Sequence, residues 1–317
     1  MTKLIEIVPD DLAGMRVDQV LAEMFAEYSR SKLQTWIKDG RVQVNGVQPK
    51  PKDRLEGGEQ IELDAEPDIV IDCVGEDIPL DIIYEDKAVL IVNKPAGLVV
   101  HPATGNWQGT LQNALLNHLP ALATLPRAGI VHRIDKDTSG LLMVAKTLAA
   151  HNSLVEQLQE RSIHREYIAL CKGRMISGGT IDEPIGRHPT ERKQFAVRES
   201  GKEAVTHYRV IERFSKHTLI QVKLETGRTH QIRVHMAHVR FPLVGDPMYG
   251  GRFQMPADCT ESLKECLKNF RRQALHAAKL GLEHPTSGDY LEWEQPLPDD
   301  MLTLINALRD NDAQQLA

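Results

Sequence analysis

No apolar run in the 317-residue sequence approaches the ~18 residues needed to cross a bilayer. The opening Met1-Thr2-Lys3-Leu4-Ile5-Glu6-Ile7-Val8-Pro9 has an acidic residue and no long apolar core, so it does not read as a signal peptide. No membrane partner is expected, and a cytoplasmic location is. The four cysteines, at 73, 171, 259 and 266, form no CxxC pair. Their scatter suits free thiols in a reducing compartment and excludes a disulfide scaffold. Cys259 and Cys266, with His276 beyond them, are spaced too widely for a structural zinc pair, which has about two to four intervening residues. His230, His235 and His238 match no common zinc motif either. Neither GxxxxGK nor GxGxxG occurs, so no nucleotide cofactor is expected. The chain also lacks tandem repeats and low-complexity tracts. The expectation is a chain that needs neither metal nor cofactor.

What is present is enough for two domains. Hydrophobic residues make up 41% and charged residues an ordinary 26%. The net charge of −6 is unevenly spread. Twelve of the 44 acidic residues fall within residues 56–86, which contain no Lys or Arg. The remaining chain has 38 basic against 32 acidic residues, a net of +6. Residues 187–240 alone hold twelve Lys and Arg, five Asp and Glu, and six His. Local fields rather than total charge attract phosphates, so nucleic acid is admissible as a partner.

The sequence predicts a short strand or an N-terminal arm over residues 1–14, where Leu4-Ile5-Glu6-Ile7-Val8 alternates, and a first compact domain over 15–65. Val17, Val20, Leu21, Met24 and Phe25 recur at helical spacing. Ser29 would cap a second helix carrying Leu33, Trp36 and Ile37, which Gly40 ends. Val42 and Val44 begin a hairpin that turns at Asn45-Gly46, and Ile61-Glu62-Leu63 returns as a strand. This order, with Arg16, Asp18, Leu21, Arg30, Ser31, Lys32, Lys38 and Gly40 so placed, resembles the S4 RNA-binding domain. The resemblance implies RNA docking along the second helix, with Arg30, Lys32 and Lys38 facing phosphates and Ser31 hydrogen-bonding beside them. Residues 66–79, acidic and containing Pro67, read as a linker. A second domain is expected over 80–310, and a frayed tail over 311–317.

Within that second domain, residues 129–146 concentrate the chemistry. Ile130 and Val131 lead in as a strand end and Leu141 to Ala145 lead out as another. Between them lie His132, Arg133, Asp135, Lys136, Asp137, Thr138 and Ser139. Composition and spacing offer two carboxylates, Asp135 and Asp137, and do not rank them. Further along, residues 204–212 and 218–225 alternate as an antiparallel strand pair. A turn at residues 226–229 then leads into a helix carrying Arg233 and His235.

The run His132-Arg133-Ile134-Asp135-Lys136-Asp137-Thr138-Ser139-Gly140-Leu141 resembles the signature of the RluA-type pseudouridine synthases. Val92-Asn93-Lys94-Pro95, Arg165-Glu166-Tyr167 and residues 226–235 follow that family's order. The resemblance covers nearly the whole chain and is nearest to the synthases of large-subunit ribosomal RNA. It implies an α+β catalytic domain with a bifurcated, mainly antiparallel sheet. It also implies that a monomer acts on ribosomal RNA or a pre-50S particle, at the helix 69 loop. Asp135 would be the nucleophile or base, Arg233 its ion-pair partner, and Tyr167 the ring that stacks on the uracil. Arg133 would fill the space left by the flipped base. His132, Arg228, Thr229, His230 and Lys94 would shape the pocket or touch RNA. The competing readings are a relative with another rRNA or tRNA target, a non-catalytic S4 assembly factor, and a hydrolase of glycosidic bonds, which would need a second carboxyl acid.

Overall fold

The computed structural model describes residues 2–25, 30–65, 73–102, 106–191, 193–252, 254–256 and 259–316. The chain divides into two units, Met1–Asp72 and Cys73–Ala317.

The first unit contains β1 (Thr2–Ile7), α1 (Val17–Met24), α2 (Arg30–Lys38), β2 (Val42–Val44) and β3 (Gln60–Ala65). Its antiparallel sheet has the order β1-β3-β2. Val17, Val20 and Leu21 of α1 pack with Leu33, Trp36 and Ile37 of α2 over Ile61 and Leu63 of β3. Each such side chain contributes roughly 1.5–3 kcal/mol on burial. The fully buried Asp18 receives the Arg16 guanidinium through two bonds of 3.0 Å and the Gln34 amide at 2.6 Å. That pairing anchors the start of α1 to α2. Asn45 and Gly46 both have positive φ, 47° and 77°. Val44 and Val47 exchange both backbone bonds across them, as a two-residue hairpin turn requires. Of the two readings for the N-terminal segment the strand is the one observed, as an edge strand: β1 pairs along all six of its residues with β3.

The second unit runs through β4 (Asp81–Glu85), β5 (Val89–Lys94), α3 (Leu111–His118), β6 (Ser139–Ala145), α4 (Leu148–Gln159), β7 (His164–Lys172) and β8 (Gly179–Asp182). It continues with β9 (Ile185–Arg187), β10 (Phe195–Val197), β11 (Val205–Arg213), β12 (His217–Leu224), α5 (Gln231–His238) and α6 (Glu261–Asn269). It closes with β13 (Leu275–Glu283), β14 (Tyr290–Glu294) and α7 (Asp299–Leu316). Nine strands form the main sheet, in the order β4-β5-β6-β13-β7-β12-β11-β8, with β14 on β13. Every pairing is antiparallel except β6 with β13. The sheet forks at β13: residues 276–277 pair with β6, and residues 279–283 pair with β14. The expected bifurcated, mainly antiparallel α+β architecture is the one observed. Helices cover both faces. Leu90 and Val92 pack on the side of α3 and α5, whereas Val89 and Ile91 pack on the side of α4. Burial on both faces explains why β5 reads as a continuous apolar run.

Three expected boundaries change. Ile130 and Val131 are not in a strand; only Ile130 bridges Val144, and residues 131–138 form a loop. Residues 73–79 are a strap on α3 rather than a linker: Asn113 donates to the Val74 carbonyl at 2.9 Å, and the Glu76 carboxylate accepts the Gly109 N–H at 3.0 Å. Residues 66–72 lie outside the described residues. The supposed frayed tail is the last part of α7. Asn311 is buried and accepts the Thr260 N–H, and Asp312 accepts the Ser215 N–H at 2.8 Å.

Candidate active site

The loop between Gly129 and Gly140 is held at both ends by glycines that nothing else could replace. A Cβ at Gly129 would lie 1.9 Å from the Ala145 carbonyl oxygen, and one at Gly140 would lie 2.2 Å from that of Ala277. Both residues also have positive φ, 78° and 111°. Between them, polar side chains tie the loop to the sheet. Thr138 accepts from the Gln273 amide at 3.1 Å, and Ser139 Oγ meets His276 Nδ1 at 2.9 Å. His276 Nε2 lies 3.2 Å from the Gln295 carbonyl, so Ser139 donates to Nδ1. His132 Nε2 accepts the Met143 N–H at 3.0 Å. Burial, with Arg165 nearby, depresses the His132 pKa to about 3, so its ring is neutral and fixes the loop.

The loop presents Asp135 to Arg233 of α5, whose Nη1 donates to Asp135 Oδ2 at 2.9 Å. The other edge of the guanidinium meets Asp246: Nε–Oδ2 is 2.7 Å and Nη2–Oδ1 is 2.9 Å. Asp246 is fully buried and also accepts the N–H groups of Met248 and Tyr249, at 2.9 and 3.0 Å. Burial alone would raise its pKa, but the Arg233 bonds and charge and the two backbone donors outweigh it and hold the carboxyl low. Arg233 therefore bridges two carboxylates, one buried and one facing a cleft. Asp135 retains Oδ1, which lies 3.9 Å from His230 Nε2, beyond hydrogen-bond reach. His230 begins α5 in a left-handed conformation, φ 59°, and its Nδ1 meets the Tyr249 hydroxyl at 2.8 Å. That hydroxyl also accepts the Phe195 N–H at 2.9 Å. Burial first, then Arg233 and Arg133, lowers the His230 pKa against the pull of the two carboxylates.

The cleft has a volume of about 330 Å³. Tyr167 of β7 lines it, 7% exposed, and its hydroxyl makes no hydrogen bond among the described residues. Burial pushes the phenol pKa up, opposed by Arg165 and assisted by Asp135. Arg133 stands exposed on the same cleft, with no hydrogen bond or ion pair among the described residues. Asp137 lines a different cavity, walled by Phe270, Arg272 and Asp300. The two carboxylates that the sequence left unranked are thus separated by location: Asp135 has the cation and the cleft.

Of the other expected site residues, Thr229 and Arg228 line the cleft, and Arg228 Nε donates to the Glu203 carbonyl at 2.9 Å. Lys94 is not among the residues that line the cleft. It is fully buried, and its ammonium donates to the carbonyls of Pro95, Leu98 and Lys136 at 2.8, 2.9 and 2.8 Å. Burial pushes its pKa down to about 7, against Asp137 and Asp135, which pull it up. Its place in register with Leu90 and Val92 on one face of β5 is the reason. Lys38 is exposed, whereas the side chains of Arg30, Ser31 and Lys32 lie outside the described residues. Sequence reasoning missed Asp246 and Tyr249, because Gly245-Asp246-Pro247-Met248-Tyr249-Gly250-Gly251 reads as a turn. The signal was available: an Asp followed by free N–H groups two and three residues on is a built-in carboxylate holder.

Chemically, the site offers a mostly buried carboxylate with one oxygen paired and one uncommitted, in a cleft that a tyrosine also lines. Such a group serves as a nucleophile or a base.

The sequence model for RNA pseudouridylate synthase matches residues 88–238, and that for the S4 domain matches residues 15–61. Ribosomal large subunit pseudouridine synthase D of Pseudomonas aeruginosa is 56% identical over 304 residues, 96% of this chain and 95% of its own. The protein of that name from Escherichia coli strain K12 is 55% identical over 308 residues, 97% of this chain and 94% of its own. Among solved structures, human RNA pseudouridylate synthase domain containing 1 aligns with a TM-score of 0.55 at 28% identity, covering 77% of this chain and 98% of that one. Human RNA pseudouridylate synthase domain containing 4 shares the fold, with a TM-score of 0.57 over 72% of this chain and 92% of that one, at 24% identity. With relatives this similar along nearly its entire length, the chain belongs to the RNA pseudouridylate synthase family and carries an S4 domain ahead of the synthase domain.

Proposed function

We propose that this chain isomerises uridine to pseudouridine in large-subunit ribosomal RNA, in the helix 69 loop, as an intramolecular-transfer isomerase in the cytoplasm. The names of its relatives supply the ribosomal substrate class, and the S4 domain agrees with it. The observation that carries the chemistry is the Asp135–Arg233 pair, with Asp135 Oδ1 left uncommitted in the cleft that Tyr167 also lines. Uridine-to-pseudouridine conversion breaks C1′–N1, rotates the base and forms C1′–C5. Asp135 attacks the anomeric carbon or removes a ribose proton. Either role needs an ionised, oriented carboxylate, which a charge-assisted bond to Arg233 favours.

The base must first leave its stack, at roughly a few kcal/mol. Arg133, exposed and unpaired, fills the vacated space with its planar guanidinium. Tyr167 stacks on the uracil and relays the C5 proton late in the reaction, its hydroxyl passing its own proton on as it accepts that one. Arg228, Thr229 and His230 border the entering nucleotide. In the S4 domain, Arg30, Ser31, Lys32 and Lys38 dock phosphates of the ribosomal RNA or pre-50S particle, to which the protein binds as a monomer.

The glycosidase alternative is weakened, because Asp137, its candidate acid, lines another cavity. Pseudouridine mapping of large-subunit RNA in cells lacking the protein tests the substrate, with Asp135→Asn as the complementing variant. Unmodified helix 69 uridines, restored by the wild type and not by Asp135→Asn, are expected. Persistence of every large-subunit pseudouridine refutes the target, and rescue by Asp135→Asn refutes the role of Asp135.

A further inference from the structure

The cleft contains five arginines, and two of them, Arg127 and Arg165, have no use in the chemistry above. Arg233 is held by two carboxylates, whereas Arg127, Arg133 and Arg228 are exposed to solvent. Arg165 is different: it is 7% exposed and has no carboxylate within ion-pair distance among the described residues. Its Nη2 donates to the Glu225 carbonyl at 3.1 Å, its Nε is buried without a partner, and its Nη1 makes no hydrogen bond among the described residues. The Glu225 carboxylate is already taken, by His207 at 2.6 Å and Arg161 at 3.4 Å. A buried guanidinium remains charged, and a buried charge without a counter-ion is unfavourable. Such a group is explained when an anion arrives during the reaction, where a preorganised cation acts most strongly.

Position narrows which anion. Arg165 and Tyr167 stand two residues apart on one face of β7, both lining the cleft with Asp135. Gly227 keeps the space beside Nη1 open; a Cβ there would lie 2.8 Å from that nitrogen. The uncommitted donors are therefore next to the tyrosine proposed to hold the base, deep in the cleft rather than at its exposed arginines.

We propose that Arg165 is the cation that receives the negative charge of the uracil as it leaves C1′. This rests on the function proposed above and adds a leaving-group stabiliser to it. When C1′–N1 breaks, its electron pair stays with the base as a uracil anion, with charge spread over its ring nitrogen and carbonyl oxygens. The Arg165 N–H groups pair with those oxygens. The anion then gives an electron pair from C5 to C1′, which releases the Asp135 carboxylate on the attack route or takes the ribose proton back from it on the other, and the C5 proton is lost as a proton is gained at N1. Attack by Asp135 and removal of a ribose proton both generate this anion, so the assignment holds for either.

The test compares single-turnover rates on a large-subunit RNA fragment carrying uridine or 5-fluorouridine at the target, read as disappearance of the N-linked nucleoside. 5-Fluorouracil is the stronger acid and departs with less help. With uridine, Arg165→Met is expected to slow the step by roughly 10²–10³-fold, the magnitude of one preorganised charge-stabilising donor. RNA affinity should stay within about threefold. With 5-fluorouridine the defect should fall to about tenfold or less. Arg165→Lys, which keeps the charge but loses the fork, should fall between the two. Gly227→Ala crowds Nη1 without touching the strand, so it serves as the second variant if Arg165→Met does not fold, and should show the same substrate dependence. Equal defects on both substrates, or a loss confined to affinity, overturn the proposal. Absence of turnover of either substrate by the wild-type protein would instead overturn the function on which it rests, so the two failures are distinguishable.

Discussion

Asp246→Asn isolates the inner half of the Arg233 bridge. The asparagine keeps an oxygen for the Met248 and Tyr249 N–H groups and for Arg233 Nη2, all of which meet Oδ1. It loses the charge, and it turns an NH2 toward Arg233 Nε, which now meets Oδ2 at 2.7 Å. Breaking a buried ion pair by removing one partner is destabilising by about 3–5 kcal/mol. The retained oxygen and the surviving bond to Asp135 put this variant at the low end, about 3 kcal/mol. For a unit of this length that is a fall in Tm of about 6–12 °C, read by differential scanning calorimetry. The pH dependence has a definite sign. The folded pKa of Asp246 is depressed, so its contribution is fully present above the ordinary aspartate value and is lost as pH falls through the folded value. The Tm gap between wild type and variant should therefore be wide at neutral pH and close in acid. Loosening Arg233 also lets Asp135 drift, and a misplacement of about 1 Å is worth about 10²-fold in rate. A variant that melts within a degree of wild type, or a gap independent of pH, would refute the claim that Asp246 holds the site.

Five further outcomes follow from the geometry. Gly140→Ala should unfold the second unit or destabilise it by more than about 4 kcal/mol, because its Cβ would overlap a backbone carbonyl. Gly46→Ala, with nothing within 4 Å of the new Cβ, should lose only about 1–2 kcal/mol from its left-handed φ in urea titration. Lys94→Met should lower Tm and turnover, leaving three carbonyls without their donor, yet leave RNA affinity unchanged in a filter-binding assay. Arg133→Ala should slow base flipping, followed with a fluorescent adenine analogue beside the target, without altering the salt dependence of binding. Lys38→Ala, removing a phosphate contact, should instead lessen the slope of log affinity against log salt by about 0.7.

The sequence makes the α+β class and the run of strands legible, because the alternation in β11 and β12 and the apolar run of β5 follow directly from burial on one or both faces. It also brings Asp135 and Arg233 forward together, and they do meet. Three things were hidden, each for a physical reason. Asp137 could not be set apart from Asp135, because the direction of a side chain in a loop depends on what clamps the loop. Those clamps, Gln273 and His276, lie far along the chain. Asp246 was hidden by its company of Gly and Pro, whose turn chemistry masks a buried anion. Lys94 was misread because lysine is almost always exposed unless a cage of carbonyls takes all three of its protons, and such a cage has no local signature.

The parallel seam between β6 and β13 has a consequence for how the molecule assembles. Asp135 sits on the loop that leads into β6, on one side of that seam, whereas Tyr167 stands on β7, on the other side. Only His276–Ser139 and Ala277–Gly140 are in register across it. The Asp135–Arg233 bond spans 98 residues of chain and the Ser139–His276 bond spans 137. Hairpins such as β4–β5 and β11–β12 close over short stretches and form early, whereas contacts between such distant segments form slowly. Refolding should therefore restore most strand signal before it restores turnover, and catalysis should be the last native property to return.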